Sequence, residues 1–289
     1  MKMGYLATVG TFDGVHRGHL HLLAQLRQKA AERGLTPLVF ALSPHPLAIL
    51  RPGTEPALLS LPEARAAMIH TLGHVPHVRL LSLSVADCAL SGADFLARLK
   101  EKYGVEAFLM GFNNHIGSDR ATAQDLADAP VPVLEAGPLP ESAASSSAIR
   151  SALQSGDIER ATALLGHPYV YTGHVVHGKQ LGRTIGFPTA NIAPVDPLQL
   201  MPAPGVYAVD ILIGTTLRRG MANIGVRPTV DATGAPISFE VNIFDFDADL
   251  YGHTLDIAFI SRLRDERRFD STEALASQLA ADRAAALKA

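Results

Sequence analysis

Two histidines three residues apart, His16 and His19, close the string Ala7-Thr-Val-Gly-Thr-Phe-Asp-Gly-Val-His-Arg-Gly-His19. An apolar run, Tyr5 to Val9, precedes Gly10. Phe12, Gly14 and Gly18 follow in the loop, and Leu20 to Arg33 is amphipathic. Strand, glycine-rich turn and helix in that order present free backbone N–H groups to a phosphate. The histidines stand at the helix mouth, facing the anion. Such a segment predicts a chain that handles a nucleotide.

Two further clusters carry related chemistry. Ser145-Ser-Ser-Ala-Ile-Arg150 opens a helix; Ser145, Ser146 and Ser147 can cap it and hold a triphosphate, with Arg150 on the same anion. A serine run before a helix is by itself usually only a cap. The second cluster is Gly173-His-Val-Val-His-Gly-Lys-Gln-Leu-Gly-Arg-Thr-Ile-Gly-Phe-Pro-Thr-Ala-Asn191. Gly178 and Gly182 bracket a loop with Lys179 and Arg183, which can wrap phosphates with N–H groups and cations. Thr189 and Asn191 are two apart, so on an extended segment they face one side. A hydroxyl and an amide oxygen are hard ligands, suited to Mg²⁺ carried in on a nucleotide. The glycines alone fit a plain hairpin equally well.

The elements that must position these groups change character along the chain. In the first half, strand-like runs at Tyr5–Val9, Pro37–Leu42, Val78–Leu83, Ala107–Met110 and Val131–Leu134 alternate with helical patterns at Leu20–Arg33, Pro62–Leu72 and Gly92–Tyr103. Ser91 is placed to cap the last of these, and a further helix is expected to begin at Gln124–Ala127. This rhythm predicts a parallel sheet with helices on both faces. Two linking helices, Ser147–Leu153 and Ile158–Leu165, break at Gly156. Beyond them Tyr169–Val176, Gly205–Ile213, Thr216–Gly225, Ile237–Phe246 and Thr254–Ile260 are rich in β-branched and aromatic residues. Without crossover helices they predict an antiparallel barrel or sandwich, with a final helix over Ser271–Lys288 packed on its outside.

Composition narrows the function classes. With 289 residues, 47% hydrophobic and 18% charged, the chain is globular and long enough for two cores. A net charge of −3 offers no basic field, so no nucleic-acid partner is expected. Cys88 is the one cysteine, which suits a reducing compartment and a structural thiol. With no long apolar run and no leader shape, no membrane partner and a cytoplasmic location are expected.

Motifs then add a resemblance. His16-Arg-Gly-His19 matches the HxGH signature of nucleotidyltransferases, and Ser145–Arg150 resembles their ISSTxxR element. Adenylyl transfer puts charge on the α-phosphate and on departing pyrophosphate, which imidazoles and a helix N-terminus stabilise without a protein nucleophile. Two histidines alone make a poor zinc site. Pro44-His45-Pro46 and Gly111-Phe-Asn-Asn-His-Ile-Gly117 fit a flavin-linked member, with Asn114 and Ile116 at positions usually aromatic. Downstream, Gly186-Phe-Pro-Thr-Ala-Asn191, Asn223-Ile-Gly-Val-Arg-Pro-Thr229, the segment from Glu240 to Asp-Leu-Tyr-Gly252, and Leu263-Arg-Asp-Glu-Arg-Arg-Phe269 resemble riboflavin kinase elements. Nearly the whole chain is therefore similar to the bacterial bifunctional riboflavin kinase/FMN adenylyltransferase family.

That resemblance implies an α/β nucleotidyltransferase domain with a Rossmann-like parallel sheet over residues 1–158, and a C-terminal antiparallel β-barrel with a terminal helix over 159–289. It implies riboflavin, FMN and ATP as substrates, Mg²⁺ with the ATP, and a monomer or weak homo-oligomer. It implies catalysis by His16, His19 and Glu240, the last as the kinase's general base. Gly10, Phe12, Gly14, Gly18, Ser145–Ser147, Arg150, Gly178, Lys179, Gly182 and Arg183 would bind ATP. Asn113 and Arg264 would lie on the flavin side, and Thr189 and Asn191 at the metal. The acids Asp245, Asp247 and Asp249 read as turn and surface residues. Two alternatives stay open: a kinase with a weak or inactive adenylyltransferase domain, motivated by Asn114 and Ile116, and a non-catalytic flavin sensor.

Overall fold

A computed structural model describes residues 4–112, 114–139, 144–178, 186–226 and 237–289. Asn113, Lys179, Gly182 and Arg183 lie outside the described residues, as do residues 227–229. The chain divides into two compact units, Met1–Pro56 with Ser60–Ala144, and Ala57–Leu59 with Ser145–Ala289.

In the first unit, strands β1 (Tyr5–Gly10), β2 (Thr36–Leu42), β3 (His77–Leu81), β4 (Val105–Met110) and β5 (Val133–Glu135) form a parallel sheet in the order β3-β2-β1-β4-β5. Alternation along β1 sends Leu6 to one face, with Leu23, Leu26 and Ile69, and Ala7 to the other, with Phe95, Leu96 and Leu99. Both faces are thus covered, as a parallel sheet requires. Helices α1 (Arg17–Glu32), α3 (Pro62–Thr71) and α5 (Gly92–Tyr103) make the covering, while the short α2 (Pro46–Leu50) and α4 (Val85–Cys88) lie in the connections and bury no side chain. The strand order reverses at β1, so the crevice beyond its carboxyl end is where such a sheet binds ligands. Ser91 caps α5 as expected, accepting from the Asp94 N–H. One expectation is corrected: residues 123–128 form turns, not a helix. Asp125 accepts from both the N–H and the hydroxyl of Thr122, which closes a tight local loop. Pro130 and Pro132 stop any helix from running on.

The second unit starts with α6 (Ser146–Ser155) and α7 (Ile158–Leu165), separated by Gly156 in the left-handed region at φ 77°. Strands β6 (Tyr169–Val176), β7 (Ala190–Pro194), β8 (Gly205–Ile213), β9 (Thr216–Val226), β10 (Ile237–Ile243) and β11 (Thr254–Arg264) close into an antiparallel barrel ordered β10-β7-β6-β11-β8-β9. Closure removes exposed strand edges. Tyr169, Tyr171, Tyr207, Phe239 and Phe259 fill its core, with Tyr171–Phe239 and Tyr207–Phe259 edge to face at 5.4 and 5.2 Å. Burial first, and Asp196 second, pushes the Tyr171 phenol up to about 12. Ile149, Leu153, Ile158 and Leu165 of α6 and α7 join this core. The terminal helix α8 (Thr272–Ala286), capped by Ser271, packs on the barrel's outer face through Leu279 and Ala286 against Met221 and Phe244.

Candidate active sites

In the first unit, the chain leaves β1 and turns sharply into α1. Phe12, Gly14 and Val15 take left-handed backbones, φ 50°, 77° and 40°. A β-branched residue there is a genuine outlier. The Phe12 and Val15 side chains are fully buried in the sheet's core. The Val15 N–H donates to Phe12 O at 3.0 Å. His16 then caps α1, its Nδ1 accepting from the His19 N–H at 3.4 Å. The two imidazoles stack at 3.6 Å with 16° between planes, and the Phe12 ring lies 5.1 Å from that of His19. Gly10 and Gly18 leave room for these rings: a Cβ would stand 3.1 Å from the Phe12 ring and 3.2 Å from the His16 ring, respectively. The first turn of α1 carries no acidic residue, so its N–H end is open to an anion.

His19 is half-buried, and its imidazole is held well below the ordinary 6.5. Burial is the main cause, then the charge of His16, then that of Arg65. The ring is therefore neutral at pH 7, one nitrogen donating and one accepting. Its Nδ1 is buried and has no hydrogen-bond partner among the described residues. An imidazole held in this state is ready to meet a ligand's polar atoms.

Three residues missed by the sequence reading support this loop. Asp13, Ser60 and Arg65 are buried together. The Gly14 N–H donates to Ser60 Oγ at 2.9 Å, and the Ser60 N–H to Asp13 Oδ1 at 3.1 Å. Arg65 Nη2 meets Asp13 Oδ1 at 3.3 Å. The available signal was an arginine four residues before Ile69 on the buried side of α3.

Beyond the carboxyl ends of β1 and β2 lies a cavity of about 270 Å³, lined by Val9, Leu42, Pro46, Phe95, His115 and Ile116 among others. His45 of the Pro-His-Pro element caps α2, accepting the Leu47 N–H at 3.1 Å. Ile116 exchanges both backbone hydrogen bonds with Ala121, which turns its side chain into a wall of this cavity.

The second unit contains Ser145 to Arg150. Ser145 Oγ caps α6 through the Ala148 N–H at 3.2 Å, and Arg150 Nε donates to Ala57 O at 2.6 Å. In the barrel wall, Phe239 and Val241 point into the core, while Glu240 and Asn242 face the opposite side. Glu240 pairs with Asn191 across β7 and with Asn223 across β9, a polar row over three strands. Thr189 Oγ1 donates to Glu240 Oε2 at 3.0 Å. Asn242 Nδ2 donates to Pro188 O at 2.6 Å and so fixes the segment carrying Thr189. Gly178 lies directly against the Asn191 amide.

Thr189 lines two cavities, of which one meets this row. One, of about 370 Å³, holds Glu240, Asn223 and Asn242 opposite Phe187, Phe269 and Leu275. The other, of about 390 Å³, holds Asp247, Asp249, Phe246 and Tyr251. Arg264 also lines the first, but its guanidinium is tied to the buried Asp282 of α8: Nη2 meets Oδ2 at 2.7 Å, and Nε meets both oxygens at 3.0 Å. Among the described residues no cluster of three or more His, Cys, Asp or Glu forms a metal cage. Thr189 and Glu240 are hydrogen-bonded and Asn191 is Glu240's register partner, so three side chains with hard oxygens, a type that suits Mg²⁺, stand on neighbouring positions.

Sheet and barrel together define a two-domain transferase. The FAD synthetase family model matches residues 2–133 and the riboflavin kinase model residues 165–289. Among curated proteins, the bifunctional riboflavin kinase/FMN adenylyltransferase of Pseudomonas fluorescens is 39% identical, over 98% of this chain and 92% of its own. That of Bacillus subtilis is 35% identical, over 97% and 90%. The chain belongs to the bifunctional riboflavin kinase/FMN adenylyltransferase family. A crystal structure named as a macrolide-efflux protein of Streptococcus pneumoniae has the same fold, with TM-score 0.86, 35% identity and coverage of 98% of this chain and 94% of that one. Among the described residues of this chain no helix is long and apolar enough to cross a membrane.

Proposed function

We propose that each unit performs one of two consecutive transfers. In the barrel, the terminal ribityl hydroxyl of riboflavin attacks the γ-phosphorus of ATP, giving FMN and ADP. Glu240 accepts the hydroxyl proton as general base. Thr189 and Asn191 hold Mg²⁺ and the ATP phosphates, and Gly178, Lys179, Gly182 and Arg183 are assigned to the same phosphates on sequence grounds. The bound ion would neutralise charge on the β- and γ-phosphates. Riboflavin lies in the Glu240 cavity, whose apolar wall includes Phe269 and Leu275, and Arg264 keeps α8 over that cavity. The Thr189–Glu240 hydrogen bond, at the wall shared by two cavities, is the observation that carries this reading.

In the sheet unit, an FMN phosphate oxygen attacks the α-phosphorus of a second ATP, and pyrophosphate leaves. His16, neutral His19 and the N–H groups of α1 stabilise the developing charge. The loop bearing Gly10, Phe12, Gly14 and Gly18 sets their positions. Ser145–Ser147 and Arg150 are assigned to the triphosphate, and Asn113 to the flavin side, on sequence grounds. The adenylyltransferase domain is taken as 1–158 and the kinase domain as 159–289, a boundary inside the stretch that neither family model matches; by packing, α6 and α7 go with the barrel. A cytoplasmic monomer or weak homo-oligomer, with no nucleic-acid or membrane partner, suits the single cysteine and the −3 charge.

Glu240→Gln tests the division of labour. It keeps the shape and a partner for Thr189 but removes the base, which is worth about 10²–10⁴-fold. FMN formation should fall by that factor while FAD formation from supplied FMN is unchanged. If both activities fell together, the two-site assignment would be wrong.

A further inference from the structure

We propose that Arg65 is a positioning residue for adenylyl transfer, holding the loop that presents His16 and His19. This deepens the reading given above and rests on it. Arg65 lies on α3 and is only 3% exposed, with its guanidinium turned to protein atoms. Its guanidinium reaches three separate pieces of chain. Nη1 donates to Thr11 O at 2.9 Å, just past the end of β1, and to Leu42 O at 3.2 Å, at the end of β2. Nη2 donates to Ser60 O at 2.8 Å and meets Asp13 Oδ1 at 3.3 Å, and Nε donates to Ser60 Oγ at 3.3 Å.

Two consequences follow from that geometry. First, carbonyls at the carboxyl ends of β1 and β2 are joined by one rigid, planar group, which fixes how the chain leaves both strands. Second, Asp13 is held from both sides, by the guanidinium and by the Ser60 N–H, while Gly14 is bound to Ser60 Oγ. Asp13 and Gly14 lie between Phe12 and Val15, the two non-glycine residues of this loop in left-handed conformations, and Val15 precedes the capping histidine. A loop of that shape persists only where its surroundings over-determine it. The side-chain partners that do so converge on Arg65. A lysine carries the charge but has three donors on one nitrogen and cannot span carbonyls on separate strands. In support, the Arg65 charge is one of the influences that keep His19 neutral, after burial and His16.

The test uses the full-length protein, with riboflavin phosphorylation by the same chain as the internal control. Arg65→Lys should lower kcat for FAD formation from FMN and ATP by about 100-fold, the scale of a 1 Å misplacement. KM for FMN should stay within about threefold, since ground-state flavin contacts are untouched. Riboflavin phosphorylation should be unchanged. The double variant Asp13→Asn with Arg65→Gln removes both charges, so no unpaired charge is buried, and it should show the same kcat defect. Wild-type kcat in Arg65→Lys overturns the proposal. So does recovery in the double variant, which would make the pair a matter of charge balance alone. So, too, does a loss that tracks unfolding of the sheet unit, followed by hydrogen exchange at Leu23 and Leu26. Failure of the underlying reading looks different: His16→Ala and His19→Ala would still form FAD at the wild-type rate, and the proposal would fall with it.

Discussion

Gly178 sits two residues after β6, against the side chain of Asn191. A Cβ at this position would stand 2.0 Å from Asn191 Nδ2 and 2.3 Å from its Cγ. Ordinary contacts between carbon atoms lie near 3.5–4.0 Å, so Gly178→Ala must drive the amide roughly 1.5 Å away. The nearest colliding atoms all belong to that one side chain, so the backbone need not move. The fold should survive, and the reduced freedom of the unfolded chain adds about 0.4–1 kcal/mol to stability. Asn191 pairs with Glu240 in the β7–β10 register, so under the proposed kinase mechanism its position bears on turnover. Displacing a positioning group by about 1 Å costs on the order of 100-fold, or about 2.7 kcal/mol of transition-state stabilisation. The assay is FMN formation from riboflavin, ATP and Mg²⁺, followed chromatographically, with FAD formation from FMN as the control. We expect kinase kcat/KM to fall about 100-fold, with FAD formation and thermal stability retained. Kinase turnover within about threefold of wild type would refute the placement of Asn191 at the nucleotide.

Two further outcomes follow from the described contacts. Folded His19 stays neutral where the unfolded chain takes up a proton, because burial, then His16, then Arg65 hold its imidazole below 6.5. The stability it contributes is thus complete above about 6.5 and is lost as pH falls below that value. His19→Gln should flatten the acid slope of the sheet unit's stability, measured by hydrogen exchange at Leu23 and Leu26, and an unchanged slope would rule this out. Asp282→Ala leaves the Arg264 guanidinium, whose side chain is only 18% exposed, without its carboxylate. The barrel unit should lose about 3 kcal/mol, measured by urea unfolding with kinase activity as probe; a loss below about 1 kcal/mol would mean the pair behaves as a surface contact.

Elements with a full local signature are legible in the amino-acid sequence itself. The limits of β6, β8, α5 and α7 follow from periodicity, a serine cap at Ser91 and a glycine stop at Gly104 or Gly166. What failed was short or lacked a period. α2 and α4, of five and four residues, bury no side chain, so no apolar stripe marks them. β7 is five residues long, ends in proline and has one fully buried side chain, so it reads as loop. The sites divide in the same way. His16 and His19 are neighbours on one turn, so their spacing alone points to the chemistry proposed for them. Glu240 and Thr189 are 51 residues apart, and apart from the fold only a family resemblance brings them together. Asp13 and Arg65, 52 residues apart, had no such resemblance to point to them. No local pattern encodes a partner that the sheet alone brings close.

The apolar residues inside the loop that carries His16 and His19 have a physical reason. Left-handed backbones at Phe12 and Val15 cost about 1–3 kcal/mol each. Burying each side chain returns about 1.5–3 kcal/mol, and both are buried to 1% or less. The two contributions nearly cancel, so the loop keeps its shape because its apolar residues belong to the core, with Asp13 and Arg65 fixing the polar remainder. The histidines proposed to meet the phosphates therefore stand on something built like an interior. The proposed kinase site is built the other way: Glu240 and Asn242 lie on the face of β10 turned away from the core, while Phe239 and Val241 hold the strand. Substitutions in the 11–16 loop should consequently damage stability and adenylyl transfer together. Substitutions in the Glu240 row should change turnover with little effect on folding. The contrast follows from which face of each element carries the chemistry.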